Sequence, residues 1–84
     1  MEFEEKIRQV AEMMARMSED TSIPRNIRRA ASEARAILLD SKQDPTVRAA
    51  SARIILEEIG GDPNMPMHAR TKLWSALSIL ETIR

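Results

Sequence analysis

Three stretches decide how this chain folds, and each contains a proline: SIPRNIRRAA (residues 22–31), QDPTVRAAS (43–51) and NMPMHARTK (64–72). Pro24, Pro45 and Pro66 stand 21 residues apart, and each precedes a run with helical periodicity. Proline is favoured at the first helical position, because its missing N–H would have no partner there and its φ is already helical. The prolines therefore predict three helix starts, and the stretch before Pro24 supplies a fourth helix.

We predict helices over about residues 2–18, 24–39, 45–59 and 66–83. In three of them the apolar residues recur at helical spacing and form one stripe, as expected when one face packs into a core. These stripes are Phe3, Ile7, Val10, Met14 and Met17; Ile27, Ala30, Ala31, Ala34, Ile37 and Leu38; and Ala69, Leu73, Ala76, Leu80 and Ile83.

Short loops of about 4–6 residues make consecutive helices antiparallel neighbours. The sequence therefore predicts an all-α fold, a single domain spanning 1–84 that forms an antiparallel up-down-up-down four-helix bundle. A helical solenoid is the alternative, because the pairs Ile27-Arg28, Val47-Arg48 and Ala69-Arg70 recur every 20–22 residues. Solenoid repeats of paired helices need about 33–47 residues, which favours the bundle.

Two helix ends have specific signals. Asp44, directly before Pro45, is expected to cap the third helix by accepting an unpaired N–H with its carboxylate. Gly60 is expected to stop the same helix by adopting a positive φ.

The third helix is apolar around more than half of its circumference, which predicts that another chain covers it or that it lies centrally. Self-association through Leu56 is the first expectation. Met65 and Met67 flank Pro66, and methionine suits adaptable interfaces. Trp74 is the largest apolar side chain and should anchor the core or an interface. These four residues form the predicted protein interface, whereas Met13, Met14 and Met17 should fill the core.

Composition limits the possible functions. Lys and Arg number 13 and Asp and Glu also 13, so the net charge is zero. This balance argues against a dedicated nucleic-acid binder and favours self-association. Cysteine is absent, which excludes disulfides and thiolate metal sites and fits a reducing cytoplasm. No apolar run reaches the roughly 20 residues of a membrane span, and the acidic start is unlike a signal peptide. A small cytoplasmic protein is expected.

His68 is the only histidine, and its sequence neighbours offer no metal-ligand or proton-transfer spacing. A surface histidine at a helix start is therefore expected. No glycine-rich phosphate loop or Ser–His–Asp set is evident in the sequence. We predict a non-enzymatic protein without a catalytic residue, cofactor or metal. The main functional prediction is a small helical bundle that acts through protein contacts, with itself as one possible partner.

Four arginines lie opposite the apolar stripe of the second helix: Arg25, Arg28, Arg29 and Arg35. Guanidinium groups match phosphate geometry, so accessory nucleic-acid binding through these residues is the alternative function. The simpler interpretation is a solvated face that pairs with acidic residues of the first helix, namely Glu5, Glu12 and Glu19. The zero net charge favours this simpler interpretation.

Several segments resemble the archaeal uncharacterised protein family 0147. They are TSIPRNIRRAA (21–31), PTVRAA (45–50), DPNMPMHART (62–71) and LETIR (80–84), and together the similarity covers nearly the whole chain. The resemblance implies an archaeal cytoplasmic protein with an all-helical bundle. It brings no catalytic residue, ligand or partner, because the family has no assigned activity.

Overall fold

The computed structural model describes residues 2–84, which form four helices: α1 (Phe3–Glu19), α2 (Arg25–Leu38), α3 (Pro45–Ile59) and α4 (Met67–Glu81). These bounds differ from the predicted ones by no more than two residues. Met1, the first residue of the predicted domain, lies outside the described residues. Within residues 2–84 there is no β-strand.

The helices form a closed ring of neighbours around one core. α1 packs against α2, α2 against α3 and α3 against α4, while α4 also contacts α1. The body measures 32 × 19 × 18 Å, so its length matches that of single helices lying side by side. The predicted all-α four-helix bundle is confirmed. An open solenoid is excluded, because its last helix would not contact its first.

The predicted stripes build the core. Ile7, Val10 and Met14 of α1 are buried, and so are the alanines and leucine of the α2 stripe. Met17 is buried and Met13 partly buried, as predicted for methionines that fill the core. In α1 and α2 the outward face is polar, so both helices are strongly amphipathic. Burial of these stripes is the main source of stability in a bundle of this kind.

The prolines stand at the helix starts, but only Pro45 occupies the first helical position. Pro24 and Pro66 are the residues before it, with extended backbones (φ −54°, ψ 150° and φ −64°, ψ 152°). Their carbonyls accept the first helical bonds: the Arg28 N–H donates to Pro24 O and the Arg70 N–H to Pro66 O, both at 3.0 Å. The prediction is therefore shifted by one residue at two of the three starts.

Two predicted caps are wrong in detail. Asp44 is the residue before α3, yet its side chain makes no capping hydrogen bond. Gly60 follows α3 with φ −62° and ψ −22°, so it does not need the conformational freedom of glycine. A Cβ at Gly60 would instead lie 3.3 Å from Leu73 Cδ2. The absent side chain therefore allows α4 to approach the end of α3 closely.

Candidate functional site

Each loop between helices contains, within its first three residues, an aspartate that folds it into the same turn. Asp20, Asp40 and Asp62 each accept the backbone N–H of the second following residue, at 2.9, 3.1 and 2.8 Å respectively. Their carbonyls accept the N–H of the third following residue. Aspartate makes this turn because its short carboxylate reaches its own backbone two residues ahead. The three loops are therefore structural repeats.

An arginine stands eight residues after each aspartate and donates to backbone carbonyls of the preceding segment. Arg28 Nε lies 2.9 Å from Ile23 O, and Arg48 Nε lies 2.9 Å from Gln43 O. Arg70 departs from this pattern, since its Nη1 donates to Gly60 O at 2.7 Å. Loop carbonyls need hydrogen-bond donors from outside a helical ladder, so these arginines hold the loops in place. This role explains the 20–22-residue recurrence seen in the sequence.

Arg48 is the one buried charged residue among residues 2–84, with 5 % exposure. It donates to Leu38 O at 3.0 Å and binds the Glu4 carboxylate with both Nη atoms, at 3.3 and 2.6 Å. The hydrogen bond from Arg48 lowers the pKa of Glu4. Arg48 therefore joins α1, α2 and α3.

His68 has polar partners that the sequence did not suggest. Its Nε2 lies 3.1 Å from Asp20 Oδ2 and 3.1 Å from Ser22 Oγ, and Ser22 Oγ donates to Asp20 Oδ1 at 2.6 Å. The loop after α1 and the start of α4 are thus brought together, although they are 46–48 residues apart. The sequence analysis found no Ser–His–Asp set. The structure corrects this, because it brings Ser22, His68 and Asp20 within hydrogen-bond distance of one another.

This trio lacks the arrangement of a catalytic triad. A triad uses one imidazole nitrogen for the nucleophile and the other for the carboxylate, whereas here Nε2 contacts both residues. Bonds from the hydroxyl and backbone N–H of Ser22, and from His68, lower the pKa of Asp20 to about 2. The carboxylate is thus held in its charged form. The trio is a set of hydrogen bonds that connects the loop after α1 to the start of α4.

A second hydrogen bond at the same end of the bundle also connects two distant segments; we call this contact and the trio the two ties. Asn26 Nδ2 donates to Asp62 Oδ2 at 2.8 Å, which joins the start of α2 to the loop between α3 and α4. The backbone N–H of Asn64 and the Asn26 amide lower the pKa of Asp62. Both ties are exposed, so water remains a competing partner for them.

Three of the four predicted arginines lie together in the structure, and the fourth lies apart. Arg25, Arg28 and Arg29 line a shallow, open groove of about 420 Å³ together with Ser18 of α1 and Ser32 of α2. Arg35 lies further along α2 and is not part of the groove lining. The predicted pairing with acidic residues of α1 is wrong: in the part of the chain that the structure describes, these four arginines make no ion pair. Glu12 instead pairs with Arg16 in its own helix.

Of the four residues of the predicted protein interface, two are buried and two are exposed. Leu56 and Met65 are buried in the core, so neither contributes to a surface. Leu56 points inwards because it shares the core-facing stripe with Ala49 and Ala52, and Met65 is drawn in by the turn at Asp62. Met67 and Trp74 are 69 % and 55 % exposed. Trp74 is therefore not a core anchor.

α3 and α4 carry apolar residues on their outward faces as well as on their core faces. On α4 the exposed residues Met67, Thr71, Trp74, Ser75 and Ser78 recur at helical spacing and are uncharged, while His68, Lys72 and Glu81 are exposed beside them. On α3 the exposed residues Val47, Ala50 and Ile54 lie on one side of the helix, and the exposed Glu57 and Glu58 follow on the same side. We call the eight uncharged residues the α3–α4 face. Its large exposed apolar side chains are Val47, Ile54, Met67 and Trp74.

Among residues 2–84, no group of three or more acidic, histidine or cysteine side chains is placed to hold a metal ion. No helix in that range is long and apolar enough to cross a membrane.

The family model described as Uncharacterised protein family (UPF0147) matches residues 1–83. A UPF0147 protein from Sulfurisphaera tokodaii is 53 % identical over 81 residues, which cover 96 % of this chain and 91 % of the relative. Relatives at about this level of identity come from archaea.

Two solved structures have the same fold. The crystal structure of the unknown function protein MMP1188 superposes with a TM-score of 0.90 at 44 % identity, covering 94 % of this chain and 90 % of that one. A UPF0147 protein from Thermoplasma acidophilum gives 0.89 at 30 % identity, covering 95 % and 94 %. None of these relatives has a named activity. On this evidence the chain belongs to the uncharacterised protein family UPF0147.

Proposed function

We propose that this protein acts without catalysis, through protein contacts made by its α3–α4 face, and that a second copy of the chain is the partner. The observation that carries the proposal is the exposure of large apolar side chains on both helices, namely Met67, Trp74 and Ile54. Interface centres are enriched in tryptophan and methionine, and Trp74 and Met67 are the residues of the α3–α4 face that fit this pattern.

The size and charge of the molecule support a second copy as the partner. A standard interface buries about 800 Å² per partner, so a body of 32 × 19 × 18 Å would need most of one long side. α3 and α4 are neighbours in the bundle, and we propose that their exposed apolar residues supply that side. The net charge is zero, so two copies approach without mutual repulsion.

Ile54→Arg and Trp74→Arg test this proposal by light scattering coupled to size exclusion. Both side chains are exposed, so the folded monomer should tolerate the changes. We expect the unsubstituted protein to be a dimer and each variant a monomer. Leu39→Arg is the matched control, because Leu39 is 46 % exposed but lies outside the α3–α4 face; it should stay dimeric. An unsubstituted protein that is monomeric at about 100 µM, where even a weak specific dimer would assemble, would refute the proposal.

The Asp20–Ser22–His68 trio supports the non-enzymatic part of the proposal. Its single shared nitrogen gives Ser22 no separate general base, and the Ser22 hydroxyl is already engaged with Asp20. Absence of hydrolysis of activated esters would agree with the proposal. Turnover that disappears in His68→Ala would contradict it. We also propose a cytoplasmic location, which the lack of cysteine supports.

A second candidate function is accessory nucleic-acid binding through Arg25, Arg28, Arg29 and Arg35. The observation that favours it is the absence of carboxylate partners for these arginines within residues 2–84. Binding of this kind releases counterions and weakens steeply with salt. No retention on heparin or RNA at about 50 mM salt would exclude this function.

A further inference from the structure

We propose that the groove between α1 and α2 is a binding site for a single phosphate group, held by Arg25, Arg28 and Arg29 with the hydroxyl of Ser32. This inference deepens the second candidate function, since it names the ligand group and the residues that hold it. Arg35 is left out, because it does not line the groove.

The groove concentrates positive charge that nothing compensates. Three guanidinium groups line it, and every other lining residue is a serine. No carboxylate of the described chain lies within ion-pair distance of these arginines. The whole chain has no net charge, so the excess of positive charge in the groove arises from the local arrangement of these arginines. Guanidinium groups bind phosphate oxygens bidentately, which distinguishes them from lysine.

Arg28 is held in place before any ligand arrives. Its Nε donates to Ile23 O at 2.9 Å, which orients the guanidinium and leaves both Nη atoms as donors. A side chain that is already ordered loses less conformational entropy on binding. The same contact makes Arg28 part of the loop repeat, so one residue holds the loop and lines the groove.

The start of α2 adds to the positive potential. Pro24 precedes the helix without a side-chain cap, and the first turn of α2 contains no acidic residue. The positive end of the helix dipole is therefore uncompensated close to Arg25 and Arg28.

The two serines of the groove differ in whether their hydroxyl is free to donate to a ligand. The hydroxyl of Ser18 already donates to Ala15 O at 2.7 Å, which leaves the Ser32 hydroxyl as the donor.

The test uses the full chain, with sodium phosphate and a single-stranded RNA of about ten nucleotides as separate probes. Binding is followed by backbone amide NMR shifts at constant ionic strength. We expect saturable shifts at Ser18 and residues 25–32. The double variant Arg25→Gln/Arg29→Gln should bind at least about tenfold more weakly, because each lost guanidinium removes charge-assisted hydrogen bonds. Arg8→Gln/Arg84→Gln is the matched control; it removes two exposed arginines elsewhere and should bind like the unsubstituted protein.

The two probes distinguish the sources of the phosphate. Saturable binding of both probes assigns the groove to a nucleic-acid backbone. Phosphate binding without RNA binding keeps the site and excludes the nucleic-acid function. If the groove variant and the control variant bind equally well, or if phosphate shifts no amide saturably, the site does not exist. Dimerisation is measured separately on the α3–α4 face, so neither result depends on the other.

Discussion

Arg48 Nη2 lies 2.6 Å from Glu4 Oε2, and this contact joins two residues that are 44 positions apart in the chain. The same side chain donates to the Leu38 carbonyl at the end of α2 and to the Gln43 carbonyl in the loop before α3. One buried guanidinium therefore connects three helices at one end of the bundle. At the other end, the ties Asp20–His68 and Asn26–Asp62 connect the remaining two loops.

Arg48→Ala should lower the free energy of unfolding by about 3 kcal/mol, because two backbone carbonyls lose their donor at a cost of about 1–3 kcal/mol each. Urea denaturation followed by circular dichroism measures the change. Arg8→Ala is the control, since Arg8 is exposed and should change stability by less than about 0.5 kcal/mol. Equal effects of the two substitutions would mean that Arg48 is dispensable for the fold.

The two glycines after α3 should respond differently to alanine. Neither has a positive φ, so a side chain is compatible with the backbone at both positions. Gly61→Ala should raise the free energy of unfolding by about 0.4–1 kcal/mol, because alanine restricts the unfolded chain. Its Cβ would lie 3.8 Å from Glu58 O, an ordinary van der Waals distance. Gly60→Ala should raise the free energy of unfolding by less, because its Cβ would lie 3.3 Å from Leu73 Cδ2. Equal stabilisation by both changes would show that Leu73 moves aside freely.

The Asp20 carboxylate should make stability depend on acid. Its pKa in the folded protein is about 2, below the ordinary value of 3.8. Between these values the unfolded chain binds more protons than the folded one, so the contribution of Asp20 is complete above about pH 4 and is lost as the pH falls towards 2.

Asp20→Asn should therefore reduce the loss of stability between about pH 4 and 2, as measured by urea midpoints at several pH values. Asp40→Asn is the control: Asp40 makes the same turn with the Lys42 N–H but contacts no histidine, so this variant should decline like the unsubstituted protein. A decline in Asp20→Asn as steep as in the control would contradict the assigned role of the trio.

Trp74 should report association by its fluorescence, because it is the only tryptophan and is more than half exposed. Its emission in dilute solution should resemble that of a solvated indole. It should shift to shorter wavelength as the concentration rises from about 1 to 100 µM, the range in which weak dimers form. Ile54→Arg should abolish the shift while leaving the dilute spectrum unchanged. A spectrum independent of concentration would speak against burial of Trp74 by a second copy.

Much of the fold could be predicted because it depends on local rules. The stripes of α1, α2 and α4 follow from the 3.6-residue period, and the loop positions follow from proline and aspartate chemistry. The errors about the predicted interface have one cause. Leu56 and Met65 were assigned to a surface because α3 has apolar residues on both sides and Met65 lies outside a helix, so periodicity could not place either side chain.

The polar contacts could not be predicted for a different reason. A hydrogen bond such as His68–Asp20 depends on which helix ends meet, and no spacing within one helix contains that information. The recurrence of an aspartate and an arginine eight residues apart was visible, yet its meaning required the carbonyls that the arginines reach.

The sequence by itself determined that four helical segments separated by short turns must cover one another, because each segment has apolar side chains that only burial can stabilise. Only the tertiary structure decided which charges became structural and which stayed available. Arg48 was enclosed because α1 begins and α2 ends beside it, whereas Arg25 and Arg29 have no ion-pair partner because no acidic side chain of α1 reaches them.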